Sequence, residues 1–408
     1  MAVITDPKQI NELLTRGVEK VYPSRELLEK ELLSGRRLRL YGGFDPSAPS
    51  LHIGNAVLIN KLAQFQALGH EVIFLIGDFT GMIGDPTDKK AARKKLTRED
   101  VTANAANYQK QASAYLKFTG ENKAIIKRNS KWQDKTTFKD LIEIASNFTV
   151  QQMIIRDMFQ ERLKEERPIY LHEFLYPLAQ GYDSVAMDVD LEIGGNDQMF
   201  NMMAGRYLMK AMKGKEKFVL TLKLIADDQG KKMGKSEGNA VFLDQEPKNI
   251  YGAVMSWPDG VIGVAFELCT KVPTPEVEVI KNKLQDPNIN PRDLKMRLAF
   301  EITKLVHGAK KAKEAQDYFV QTIQHKEAPE DMEVINWDPP VGGESGELLE
   351  ILKKCLPETS NSEIRRLLEQ GAIKVEGEVK KDQSEILQIS DDGLVVKIGK
   401  KKWVRVRR

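Results

Sequence analysis

The sequence predicts an α/β fold with a parallel sheet, followed by an α-helical domain and a small α+β domain, and three observations carry this reading. "RRLRLYGGFD" (36–45) alternates into glycine like a buried strand, "HIGNAVLINKLAQFQALGH" (52–70) spaces its apolar residues like a helix, and "EVIFLIGDFTG" (71–81) is a continuous apolar run. Strand, helix and strand in that order open a parallel sheet, which binds ligands outside the carboxyl ends of its strands. The layout is Rossmann-like.

The later elements follow in order. After the "GDPT" turn (84–87) comes a basic stretch, "TDKKAARKKLTRED", and then helical patterns through "VTANAANYQKQASAYLKF". A long amphipathic helix is expected over roughly 137–166, with an apolar surplus that suits either a dimer interface or core packing. "YDSVAMDVDLEIGGNDQ" and "KFVLTLKLI" resume the sheet, so 120–168 reads as an insertion within a domain spanning 1–242. Residues 243–324 are mostly helical in pattern. Residues 325–345 mix proline, glycine and charge without periodicity, the composition of a linker, and 346–408 form a separate module. No internal repeat is found.

With 408 residues, 41% hydrophobic and 30% charged, the chain is long enough for two or three folded domains and too apolar for a disordered one. No run of 18 apolar residues and no basic, apolar leader occurs, so a cytoplasmic protein without membrane contact is expected. The two cysteines, Cys269 and Cys355, lack metal-ligand spacing and read as packed thiols. Net charge is only +3, but residues 397–408 hold seven basic side chains and no acidic one, a local excess that attracts a phosphate backbone.

Two segments carry chemistry. If a helix starts near Ile53, His52 and Asn55 share its first turn, and Gly54 leaves room for a flat ring. A helix N-terminus attracts phosphate, so the arrangement suits a nucleoside triphosphate; a plain helix start with a packed histidine is the alternative. "DDQGKKMGKSEGN" (227–239) places Lys232, Lys235 and Ser236 on a glycine-interrupted loop able to close over phosphates, unless it is simply a solvated lysine loop.

Together "HIGN" and "KMGKS" resemble the HIGH and KMSKS signatures of class I aminoacyl-tRNA synthetases, with Asn55 in place of the second histidine and Gly234 in place of a serine. "YGGFDPSAPSLHIGN", "FTGMIGDPT", "YPLAQGYDS" and "IGGNDQMFN" resemble, in order and spacing, the motifs of bacterial tyrosyl-tRNA synthetases. That resemblance implies activation of L-tyrosine by ATP with Mg2+, no tightly bound protein metal, transfer to tRNA(Tyr), and a homodimer. It implies His52, Asn55, Lys232, Lys235 and Ser236 as catalytic residues, and Asp45, Gly54, Gly195 and Asp197 on the ATP side with Lys232 and Lys235. Tyr41 and Asp183 would contact the substrate phenol, while Asp85, Tyr176 and Gln180 would hold its ammonium group. Thr80 and Gln198 would complete that pocket, with Asn129 a looser match. Lys89 and Arg93 match positions near pyrophosphate or the tRNA acceptor end, although solvated basic residues remain an alternative. Residues 346–408, with Arg365 and Arg366 on a second helix, resemble a small RNA-binding domain shared with a ribosomal protein. The closing "KKKWVRVRR" suits a basic edge strand.

Three rivals stay open at this point. They are a tryptophan-activating relative, a nucleotidyltransferase of similar fold, and a non-catalytic RNA-binding protein.

Overall fold

The computed structural model describes residues 2–87, 96–226, 240–324, 328, 332–337, 345–399 and 402–408. They form two compact units, Met1–Ala312 and Lys313–Arg408. In the first, strands β1 (Val18–Tyr22), β2 (Arg39–Phe44), β3 (Glu71–Ile76), β4 (Ile125–Arg128), β5 (Leu191–Gly195) and β6 (Phe218–Leu222) make one sheet in the order β1-β6-β5-β2-β3-β4. Every pair is parallel except β1 with β6. The chain winds outward through β2, β3 and β4, then crosses to β5 and β6 on the other side of β2. The crevice between β2 and β5 is thus the topological switch point, where a doubly wound sheet opens for a ligand.

The expected strand, helix and strand at 36–81 are β2, the helix Ile53–Ala67 and β3. Gly69, at φ +91°, ends the connection in a conformation that suits glycine. The helix is buried nearly all round, which places even Lys61 inside, where its ammonium group donates to the carbonyls of Leu13 and Arg16 at 2.8 Å each. A second helix, Leu171–Met187, lies close against Met199–Lys213. Gly181 permits the approach, since a Cβ there would lie 3.1 Å from the nitrogen of Gly205.

Three expectations are corrected. The single helix over 137–166 is three helices, Phe138–Ala145, Val150–Ile154 and Asp157–Lys164: Thr149 starts the second in a reciprocal capping box with Gln152, and Arg156 turns extended (φ -61°, ψ 133°) before the third. Within the expected insertion, 125–128 is β4, so the sheet does not pause at 120. No boundary separates 242 from 243 in the packing. Buried Arg16 donates to the carbonyls of Val272 (2.6 Å) and Thr270 (2.8 Å), and Lys223 pairs with Glu267 at 3.0 Å, which ties the helices Pro247–Met255, Ile262–Cys269, Thr274–Leu284 and Pro291–His307 into the first unit.

In the second unit the helices Leu348–Cys355 and Asn361–Glu369 pack on a five-stranded sheet. The terminal strand Lys402–Arg407 is internal, not an edge: it pairs antiparallel with Leu394–Ile398 and parallel with Glu333–Asn336. The latter strand lies in the stretch that reads as linker, where only four residues of sheet periodicity separate two polar runs. Val404 and Val406 face the core, while Trp403 and Arg405 alternate outward. Both cysteines are buried free thiols, and no helix among the described residues is long and apolar enough to cross a membrane.

A charge at the centre of that internal strand tests the assignment. Val404→Asp should destabilise the second unit by about 3 kcal/mol or more. Hydrogen exchange should show lost protection across 345–399 with the sheet of residues 18–222 unaffected; an edge-strand position would leave both unchanged.

Candidate active site

Four parallel strands deliver side chains to one side of the sheet. Asp45 follows β2, Thr80 lies just beyond β3 at the start of the short helix Thr80–Ile83, Asn129 follows β4, and Gly195 ends β5. Across them lies the helix Leu171–Met187, whose Tyr176, Gln180 and Asp183, spaced four and three apart, share one face.

A continuous hydrogen-bond chain crosses this floor. Tyr176 donates its hydroxyl to Asp45 Oδ2 at 2.8 Å, and Thr80 Oγ1 donates to Asp45 Oδ1 at 2.6 Å. Thr80 Oγ1 in turn accepts from Asn129 Nδ2 at 3.0 Å, and the same amide donates to Asp183 Oδ2 at 3.1 Å. Trp132 Nε1 (2.7 Å) and Gln133 Nε2 (2.9 Å) complete Asp183 through Oδ1. Gly77 has no side chain for a definite reason: a Cβ would lie 2.0 Å from Asp45 Oδ1. Asp45 therefore sits with Tyr176 and Thr80, residues expected for the amino-acid side, and not apart from them on the nucleotide side.

Asp85 forms a second station. Its Oδ1 accepts from the nitrogen of Thr87 at 2.8 Å, and its Oδ2 accepts from Gln198 Nε2 at 2.6 Å. Gln180, expected beside Asp85 and Tyr176, instead donates to Glu192 Oε1 at 3.0 Å. Tyr41, buried on β2, shares a 3.0 Å hydrogen bond with Ser184 Oγ.

The burial of these acids shifts them together. Loss of water pushes Asp45 and Asp183 up to about 7 despite the hydroxyl and amide donors around them, and raises Asp85 for the same reason. Desolvation, then the charges of Glu192 and Asp183, lifts the Tyr41 phenol far above its ordinary range, so it stays protonated. Several acids shifted by burial in one crevice mark it as a candidate functional site, with Arg156 a buried cation acting on Asp85.

At the other end, His52 caps the helix Ile53–Ala67. Its Nδ1 accepts from the backbone of Gly54 (3.1 Å) and Asn55 (3.4 Å), while Asn55 Oδ1 accepts from the nitrogen of His52 at 3.0 Å. This bonding places the imidazole hydrogen on Nε2. Gly54 is required by the histidine itself, since a Cβ would lie 2.9 Å from Cε1. The residues just past 227–239 bind this segment: Ile53 donates to Val241 at 2.8 Å and Leu243 to Leu51 at 2.9 Å. On the β5 side, a Cβ on Gly195 would lie 2.6 Å from Asp197 Oδ1. Lys89, Arg93, Lys232, Lys235 and Ser236 lie outside the described residues.

Sequence reasoning missed Gly77, Trp132, Gln133, Ser184, Glu192 and Lys217. Trp132 stood in "NSKW" beside Asn129, and Glu192 was the one charge in an otherwise apolar strand, which was the available signal.

A model of class I tRNA synthetases of the tryptophan and tyrosine type matches residues 33–324. The chain belongs to this family. Among relatives of the family, the tyrosine–tRNA ligase 2 of Clostridium acetobutylicum is 40% identical over 406 residues, covering 98% of this chain and 99% of that one. The tyrosine–tRNA ligase of Thermotoga maritima is 40% identical over 402 residues, 98% of each chain. A truncated mitochondrial tyrosyl-tRNA synthetase of Coccidioides posadasii superposes with TM-score 0.61 at 26% identity, over 76% of this chain and 91% of that one. The synthetase of Archaeoglobus fulgidus solved with L-tyrosine gives 0.60 at 20% identity, over 76% and 100%, a likeness of fold alone.

The raised acids set a pH dependence. Unfolded, an aspartate titrates near 4, so between roughly pH 4 and 7 the folded chain keeps a proton that the unfolded chain has lost, and the contribution of Asp45 falls as pH rises through that window. Asp45→Asn should therefore raise stability at pH 8 by about 1 kcal/mol relative to its effect at pH 5, discounted for the partly open position. Urea titrations at the two pH values check this; an equal effect at both would contradict it.

Proposed function

We propose that the protein is a tyrosine–tRNA ligase, which joins L-tyrosine to ATP, delivered as its magnesium complex, and then passes the tyrosyl group to the 3′ end of tRNA(Tyr). The observation that carries this is the polarity of the pocket. A phenol both donates and accepts, and the Tyr41 hydroxyl with the Asp183 carboxylate offers a matching pair, whereas an indole only donates. Rejection of phenylalanine follows, because those buried groups would lose their partner. Asp45 and Asp85 supply charge for the ammonium group, with Tyr176 and Thr80 fixing its direction.

The substrate carboxylate is ionised at neutral pH and needs no general base. Its oxygen forms a bond to the α-phosphorus as the bond to pyrophosphate breaks. The Nε2–H of His52 and the amide of Asn55 are assigned to phosphate oxygens that gain charge, and Lys232, Lys235 and Ser236 to the leaving pyrophosphate. Gly195 and Asp197 are assigned to the ribose. Magnesium is assigned to the nucleotide, where it would neutralise phosphate charge. In the second step a terminal ribose hydroxyl of tRNA attacks the tyrosyl carbonyl carbon and AMP leaves, with Lys89 and Arg93 assigned near the acceptor end.

For tRNA, the second unit offers an outer sheet face: Lys374, Lys397 and Trp403 stand side by side across three strands, and Arg405 continues it. Lys397 lies 4.3 Å from the centre of the Trp403 ring. Arg365 and Arg366 are exposed on the neighbouring helix Asn361–Glu369. A homodimer is favoured by exposed Phe138, Ile142, Val150, Ile155 and Leu171, a concentration of apolar surface around the three insertion helices.

Tyrosine-dependent ATP–pyrophosphate exchange without tRNA, with phenylalanine and tryptophan as controls, tests the whole reading; exchange with tryptophan in preference to tyrosine would overturn it. Lys235→Ala should raise the barrier to adenylate formation by about 2–4 kcal/mol while leaving tyrosine affinity unchanged. Light scattering should give twice the chain mass, and Phe138→Asp with Val150→Asp should shift it to one.

A further inference from the structure

Behind Tyr41 lies a buried polar group that the proposed chemistry does not use. Lys217 and Ser184 are completely inaccessible and Glu192 is 2% exposed. Lys217 Nζ donates to Ser184 Oγ at 2.8 Å and forms an ion pair with Glu192 Oε2, while Gln180 occupies Oε1 of the same carboxylate. The lysine ammonium also stands 6.0 Å from the centre of the Tyr41 ring. Space for this group is reserved from the facing helix: a Cβ on Gly205 would lie 2.6 Å from Lys217 Nζ and 2.8 Å from Ser184 Oγ.

A buried ion pair is a poor source of stability, since apolar side chains of similar volume do as well or better. Its effect here lies in where hydrogens point. Ser184 has one hydroxyl hydrogen and two claimants, the Tyr41 oxygen at 3.0 Å and Glu192 Oε2 at 3.3 Å. If Glu192 takes it, Tyr41 must donate to Ser184 and has no hydrogen left for a ligand. If Tyr41 accepts it, the Tyr41 hydrogen is available to the pocket. Neutralising Glu192 decides between the two.

We propose that Lys217 is a positioning residue for substrate selection: by satisfying Glu192 it leaves the Ser184 hydroxyl to donate to Tyr41, which keeps Tyr41 a donor toward the substrate's phenol oxygen. Asp183 then accepts the phenol's own hydrogen, and the pocket reads both halves of the hydroxyl. Lys217 touches no substrate; it acts through Ser184. The inference rests on the tyrosine reading above.

The test is exchange kinetics with tyrosine and with phenylalanine on the full chain. Ser184→Ala, which adds no charge and removes one oxygen, should lower the tyrosine-to-phenylalanine ratio of kcat/KM about ten-fold, chiefly through the KM for tyrosine, with the KM for ATP unchanged. Lys217→Met should do the same or more, because Glu192 then captures the serine hydrogen. Adding Glu192→Leu to Lys217→Met should restore the ratio to within about three-fold of the unmodified protein, since no carboxylate competes. An unchanged ratio in Ser184→Ala, or no recovery in the double variant, overturns the role of Lys217. If Lys217→Met fails to fold, Ser184→Ala and the double variant, which carries no unpaired buried charge, still decide. Absence of tyrosine exchange in the unmodified protein would remove the tyrosine reading itself, an outcome distinct from normal exchange with unchanged ratios.

Discussion

Asn129, wholly buried at the end of β4, holds the two ends of the pocket in one frame. Its Oδ1 accepts from the nitrogen of Phe79, which fixes the turn beyond β3, and its Nδ2 donates both to Thr80 and to Asp183. One amide therefore links the turn after β3 to the helix Leu171–Met187. Because an asparagine side chain has two donor hydrogens and one carbonyl, no smaller polar residue could serve all three partners. The support continues behind it: Asp78 accepts from the backbone and hydroxyl of Ser130 at 3.0 and 2.9 Å, pinning the chain as it leaves β4.

This frame explains why so many acids can be gathered without water. An isolated carboxylate in such a place would be costly, and burial does push Asp45 and Asp183 up to about 7. The donors lower that cost without abolishing it, and buried Arg156 offsets part of the charge on Asp85. Lys217 answers chiefly Glu192, its ion-pair partner beside Tyr41, and is felt more weakly by Asp183.

Much of this was legible in the sequence because periodicity and glycine placement report backbone directly. The strand, helix and strand at 36–81 follow from local pattern, and the resemblance brought Thr80, Asp45, Tyr176, Asn129 and Asp183 into view, which the structure places in one chain of bonds. Where pattern failed, a long-range pairing decided the outcome. Glu333–Asn336 is a strand only because Lys402–Arg407 lies beside it, and four residues between polar runs carry no signal of that. The helix expected over 137–166 breaks at Thr149, whose capping role competes with an otherwise helical pattern, and again at the extended Arg156. Lys217 and Glu192 gave a weaker sign: opposite charges at the edges of apolar strands that prove adjacent only once β5 and β6 are paired.

The same dependence on long-range pairing bears on how the two signature segments work together. His52 and Val241 lie far apart in the sequence, yet Ile53 bonds to Val241 and Leu243 to Leu51, so 241–243 lies directly on the helix cap. Those backbone bonds hold 241–243 against the turn that carries His52 and Asn55. With Nδ1 committed to the cap, the ring orientation of His52 is fixed, and in the proposed reaction a fixed donor would stabilise developing charge without reorganising. In the proposed reaction the helix cap and a donor to phosphate are the same side chain, and Gly54 leaves its ring undisturbed.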